Sequence, residues 1–73
     1  MTADQYKQRF LPFQRQLYQQ ALALLGNEAD AMDAVQETYL RLWRQADRIE
    51  EMSNAKGFYL QTLRNISLNI IHD

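Results

Sequence analysis

The chain has no cysteine, one histidine, one proline and two glycines in its 73 residues. Without cysteine there is no disulfide staple and no thiolate metal site, and a lone histidine, His72, cannot supply a zinc constellation. No metal or other cofactor is expected. Scarce glycine and proline remove most of the punctuation that sheets and long loops require. Long apolar runs are missing too: the longest, Ala21 to Leu25, is far too short to cross a bilayer, and MTADQYKQRF at the N-terminus has no signal-peptide apolar core. A cytoplasmic address without membrane insertion is the default expectation. A strong charge of one sign is also lacking, the formal net charge being -1, which argues against a simple basic nucleic-acid binder.

What is present is a helical pattern. Hydrophobic residues make up 47% of the chain, enough for one small core, although a domain of this length buries only about 60% of the surface its unfolded form exposes. Tyr6, Phe10, Phe13, Leu17, Ala21, Leu24 and Leu25 recur every three or four positions and predict a helix over about 4–25. Pro12 predicts either a kink or a short helix that ends near Phe10 and restarts at Pro12. Gly26 suits a C-terminal stop, and Asn27 can cap a second helix by accepting from the backbone near Ala29 or Asp30.

That second helix is predicted over 28–46, with Met32, Val35, Tyr39, Leu42, Trp43 and Ala46 buried. Trp43 is expected to be largely enclosed. The segment Asp47 to Asn54 reads as a connector pinned by Ile49 and Met52. Ser53 or Asn54 can cap a third helix over about 54–71 whose core stripe is Tyr59, Leu63, Ile66 and Ile70. The fold class is all-α, a small three- to four-helix bundle in one domain.

Two outward faces carry the candidate functional residues. On the second helix Asp33, Gln36, Glu37, Leu40, Arg41 and Arg44 share a face, a leucine among polar groups, as in a protein-docking patch. On spacing alone a solvated face laced with pairs such as Glu37 to Arg41 is the better account, since such pairs are common and worth only ~0.3 to 0.5 kcal/mol. On the third helix Phe58, Gln61, Thr62, Asn65 and Asn69 lie beside Lys56 and Arg64. Amides and hydroxyls can bond base edges, an aromatic ring can stack on an unpaired base, and cations can neutralise phosphate. Spacing alone again favours the plainer account, a polar helix flank.

The order of residues shifts both readings. Ala31-Met-Asp-Ala-Val-Gln-Glu-Thr-Tyr-Leu-Arg-Leu-Trp-Arg44 closely resembles the region 2.2 signature of extracytoplasmic-function sigma factors, in which an Asp, two residues and then Gln-Glu precede an aromatic, a leucine and a Leu-Trp-Arg ending. The likeness extends upstream through Leu17-Tyr18 and Leu24-Leu25-Gly26-Asn27 and downstream through Phe58 to Asn65. It implies the sigma region 2 bundle and two partners, core RNA polymerase and promoter DNA. In that family the second helix docks on the clamp helices of the polymerase beta-prime subunit, and the matching positions are Asp33, Gln36, Glu37 and Leu40. Arg41 and Arg44 join them from the face argument alone.

The Trp-Leu pair followed six residues later by Arg-Asn in the family corresponds to Phe58-Tyr59 and Arg64-Asn65. Phe58 stands where a tryptophan is usual and Asn69 where an aspartate is. By resemblance this helix reads the minus-ten element, with Thr62 and Asn65 at duplex-reading positions, and the loop before it holds a flipped base beside Ser53, Asn54 and Lys56.

A different reading is a sigma mimic that uses the same docking face to titrate an anti-sigma factor and never touches DNA. The cations and amides of the third helix count against it, although an anti-sigma factor remains a candidate partner of a true sigma domain. An enzyme is not expected, because Ser53, Ser67 and His72 have no spacing that suggests a nucleophile, a base and an orienting group, and no small-molecule substrate is implied. Family members normally continue into a helix-turn-helix region 4 domain, which is expected to be absent from these 73 residues.

Overall fold

The computed structural model describes residues 1–72, the side chain of His72 excepted. Expectations about His72 as a metal or catalytic group therefore lie outside the described part. Four helices follow in order: α1 (Ala3–Leu25), α2 (Glu28–Trp43), the single-turn α3 (Ala46–Glu50) and α4 (Ala55–His72). The described residues contain no strand, so the all-α expectation holds.

Local chemistry sets the ends of α1. Thr2 accepts from the Gln5 N–H at 3.2 Å while the Gln5 side chain accepts from the Thr2 N–H at 2.9 Å, a reciprocal capping box. At the other end Gly26 turns left-handed with φ 67°, a conformation that a Cβ would strain, and its N–H reaches the Leu22 carbonyl at 2.8 Å. Asn27 then caps α2, its side-chain oxygen accepting from the Asp30 N–H at 3.0 Å. The two-residue link makes α1 and α2 a helical hairpin, and α4 packs against both.

Pro12 does not break α1, which runs through it as one helix. A proline in a helix interior costs about 3 kcal/mol, but Tyr6 and Phe10 before it and Leu17 and Ala21 after it are all buried on one stripe. Burying a large apolar side chain contributes about 1.5 to 3 kcal/mol, so the stripe outweighs the defect. Pro12 and Gln8 are both exposed, leaving the Gln8 carbonyl, deprived of its usual donor, within reach of water.

The second helix departs from its expected course in two ways. It stops at Trp43 rather than Ala46, where the Gln45 N–H bonds the Leu42 carbonyl at 2.9 Å in a tightened turn, and the supposed connector holds α3, which buries Ala46 and Ile49. Its buried side is also rotated. Ala31, Ala34, Thr38 and Leu42 are fully enclosed with Val35 nearly so, whereas Met32 is 55% and Trp43 38% exposed, against the expectation for both. The reason is geometric: α2 is covered by α1 on one flank and α4 on the other, and small residues at the centre let both approach. On α1, Leu24 is likewise exposed rather than buried.

An aromatic chain ties the hairpin to α4. The Tyr6 ring lies 4.9 Å from Tyr39 and 5.2 Å from Trp43, Phe10 meets Tyr39 edge-on at 4.9 Å, and Tyr59 of α4 contacts Phe10 at 5.6 Å and Phe13 at 5.2 Å. The buried Tyr6 hydroxyl donates to the Tyr39 carbonyl at 2.6 Å, which fixes the depth of α1 against α2.

Candidate docking and nucleic-acid surfaces

Because α2 turns its small residues inward, its polar residues and three large apolar ones, Met32, Leu40 and Trp43, are left outside. Asp33, Gln36, Glu37, Leu40 and Arg41 are all exposed, with Leu40 at 60%, and Glu37 and Arg41 form an ion pair at 3.5 Å across one helical turn. Arg44 is exposed too, but as the C-cap residue beyond the last turn of α2. The pair is solvated on both sides and contributes little to stability. Next to this face an apolar groove of about 330 Å³ opens between α1 and α2, where Leu11 and Leu40 form the lips and Val35 and Tyr39 line the wall. It is continuous with a second hollow reaching Met32 and Tyr18. Leu11, Met32 and Leu40 are all exposed, so the apolar surface beside the polar face of α2 extends onto α1, a feature the one-helix pattern did not show.

On α4, Phe58 and Thr62 are half-buried and Gln61, Arg64, Asn65 and Asn69 are exposed. Phe58, Thr62, Asn65 and Asn69 form one stripe, while Arg64 projects about 100° round the helix from Asn65. The stripe borders α2: Asn69 lines a groove with Asp30, Asp33, Glu37 and Arg41. Asn69 therefore stands among carboxylates, apart from the cationic end of α4.

At that cationic end, Ser53 and Asn54 precede the helix, and the Asn54 oxygen accepts from the Gly57 N–H at 3.4 Å in the manner of an N-cap. Ser53, Asn54 and Lys56 line a cavity of about 380 Å³ whose far wall is α1, contributed by Arg9, Pro12 and Phe13, with Tyr59 and Met52 also lining it. The structure thus brings those three expected residues together and adds Arg9. Sequence reasoning missed Arg9 because a cation beside a buried stripe signals only a helix flank, not which neighbour covers it. Burial raises the Tyr59 phenol above its ordinary ionisation range, and the Arg9 charge opposes that shift.

The bundle thus exposes a mixed polar and apolar face on α2 and a separate amide-rich face on α4. Residues 10–73 match the family described as Sigma-70 region 2, and the chain belongs to that family. Comparisons with curated proteins and with solved structures find no match. Region 2 is a transcription-factor domain that in general binds RNA polymerase and takes part in recognition of the promoter minus-ten element. It is not a known enzyme family. Among the described residues no helix is long and apolar enough to cross a membrane.

Proposed function

We propose that the chain acts as region 2 of a bacterial extracytoplasmic-function sigma factor in the cytoplasm, docking on the beta-prime clamp helices through α2 and opening the minus-ten element through α4 and the loop before it. The observation that carries this reading is the outer face of α2. Within the segment Ala31–Arg44, the four positions that the family resemblance assigns to docking, Asp33, Gln36, Glu37 and Leu40, are all exposed on one side. Leu40 at 60% exposure gives the patch an apolar centre, and the adjoining groove enlarges it. An interface core of this kind gains from burying leucine, while its polar rim sets orientation. Arg41 and Arg44 are assigned to the rim.

On α4, Thr62 and Asn65 are assigned to reading the duplex, with Gln61, Arg64 and Asn69 as flanking contacts. Phe58 is half-buried, leaving part of its ring to stack on an unpaired base beside Ser53, Asn54 and Lys56. An anti-sigma factor covering the α2 face would block polymerase binding by occupancy alone.

The deciding experiment is capture of purified core polymerase by the chain, compared with a Gln36→Ala, Glu37→Arg double variant. Both sites are exposed, so the variant should fold, each change altering stability by no more than about 0.5 kcal/mol. Polymerase binding should drop sharply. Undiminished capture by the double variant removes the docking assignment.

A further inference from the structure

The cavity between α1 and the start of α4 has a chemistry that neither the docking face nor the amide stripe uses. Arg9 and Lys56 line it from different helices, and no carboxylate lines it. Among the described residues neither cation has an ion-pair partner. Tyr59 is 1% exposed, and its hydroxyl is buried with no hydrogen-bond partner. Arg9 is exposed and borders the cavity from α1, on the same hollow that Tyr59 lines from α4. The Asn54 oxygen is engaged by Gly57, so its amide hydrogens remain available as donors.

Two like charges lining one hollow repel, and no carboxylate of that hollow offsets them, although Arg9 also borders a separate hollow with Asp4 and Glu50. Donors predominate: a guanidinium, an ammonium and an amide, with the Ser53 hydroxyl able to act either way. The ligand chemistry that fits is an anion with several acceptor oxygens next to something apolar, since Phe13, Pro12 and Met52 complete the walls. A phosphodiester attached to its sugar and base has that composition. A free inorganic anion would leave the apolar wall unused.

We propose that Arg9 and Lys56 together cradle a backbone phosphate of a DNA strand passing over the α3–α4 loop, so that α1 is part of the nucleic-acid surface. The inference rests on the reading of α4 as DNA-binding. Arg9 lies one residue before the segment 10–73 that matches the family. As a phosphate contact it is blind to sequence, and it raises the affinity with which every strand is held while Thr62 and Asn65 discriminate among them.

The test uses the 73-residue chain and a fluorescein-labelled single-stranded DNA of mixed sequence, followed by anisotropy across a salt series. Arg9→Gln and Lys56→Gln should each weaken binding roughly five- to tenfold, alike for all sequences, as expected for loss of a charge-assisted phosphate bond. The double variant should flatten the dependence of log affinity on log salt by about 0.7 for the phosphate no longer neutralised. Arg9→Lys, which keeps the charge, should retain most of the slope. A strand carrying a neutral methylphosphonate at the critical linkage should bind wild type and both variants equally, and excess inorganic phosphate should compete poorly.

A loss with Lys56→Gln but none with Arg9→Gln overturns the role of Arg9 and leaves the α4 reading intact. A loss with Arg9→Gln that survives the methylphosphonate scan, or leaves the salt slope unchanged, overturns phosphate as its ligand. Indifference to Arg9→Gln, Lys56→Gln and Asn65→Ala alike overturns both this proposal and the DNA reading beneath it. Circular dichroism of each variant, expected to match wild type because both cations are exposed, ties the result to binding.

Discussion

Replacing Tyr6 with phenylalanine removes one hydroxyl from the centre of the bundle and nothing else. That hydroxyl donates to the Tyr39 carbonyl at 2.6 Å from a side chain only 1% exposed, at the contact that sets α1 against α2. Near neutral pH the loss should be that of one buried neutral hydrogen bond, about 0.5 to 1.5 kcal/mol. With total stability of order 0.05 to 0.15 kcal/mol per residue, this is a sizeable share and should lower Tm by roughly 4 to 8 °C per kcal/mol.

The same residue governs alkaline stability. Burial, reinforced by the neighbouring Tyr59 and Tyr39 phenols, drives the Tyr6 phenol far above its ordinary range, and burial raises Tyr59 as well despite Arg9. An unfolded chain loses these protons from about pH 10 while the folded chain keeps them. Above that point the unfolded state binds fewer protons, so the contribution present below about pH 10 is lost as pH rises toward the folded values. Tyr6 should remove up to about 1.4 kcal/mol per pH unit in that window, and Tyr59 should add to the fall in the same direction. Urea titrations followed by circular dichroism should show a steep fall in wild type and a much shallower one in a Tyr6→Phe, Tyr59→Phe variant. If the double variant loses stability above about pH 10 as steeply as wild type, the argument from buried phenols is wrong.

Trp43 packs on Tyr6 yet is 38% exposed, so Trp43→Ala should cost about 1 to 3 kcal/mol, below the ~3 to 5 kcal/mol of an enclosed aromatic, and iodide should quench its fluorescence in part. Complete protection from iodide would contradict that placement. Ser67 is fully buried and its hydroxyl has no partner, so Ser67→Ala should leave stability unchanged or raise it by up to about 1 kcal/mol in urea unfolding. A clear loss would show that the hydroxyl is bonded. Asn65→Ala should narrow the spread of affinities across a panel of minus-ten-like oligonucleotides more than it lowers their mean, and an unchanged spread would remove Asn65 from base reading.

The break between α1 and α2 was legible in Gly26-Asn27, because a left-handed stop and an N-cap are settled by residues within four positions of each other. Tyr59, Leu63 and Ile66 were legible as the core of α4 for a similar reason: one strong stripe needs no neighbour to declare it. The order Ala31–Arg44 pointed to the family that residues 10–73 match, and so to the general function.

Tertiary structure decided the rest. Pro12 stays within α1 because the stripe on both sides of it is buried by other helices, an energy that no local preference contains. Met32 and Trp43 are exposed, and Ala34 and Thr38 enclosed, because α2 is gripped on two flanks rather than one. Arg9 meets the start of α4 only after α1 and α4 have packed. A hydrogen bond at a helix end joins neighbours in the chain, so sequence alone can specify it. Which flank of an amphipathic helix is covered, and which distant cation then faces a cavity, follows from packing between segments whose separation in sequence says nothing of their distance in space.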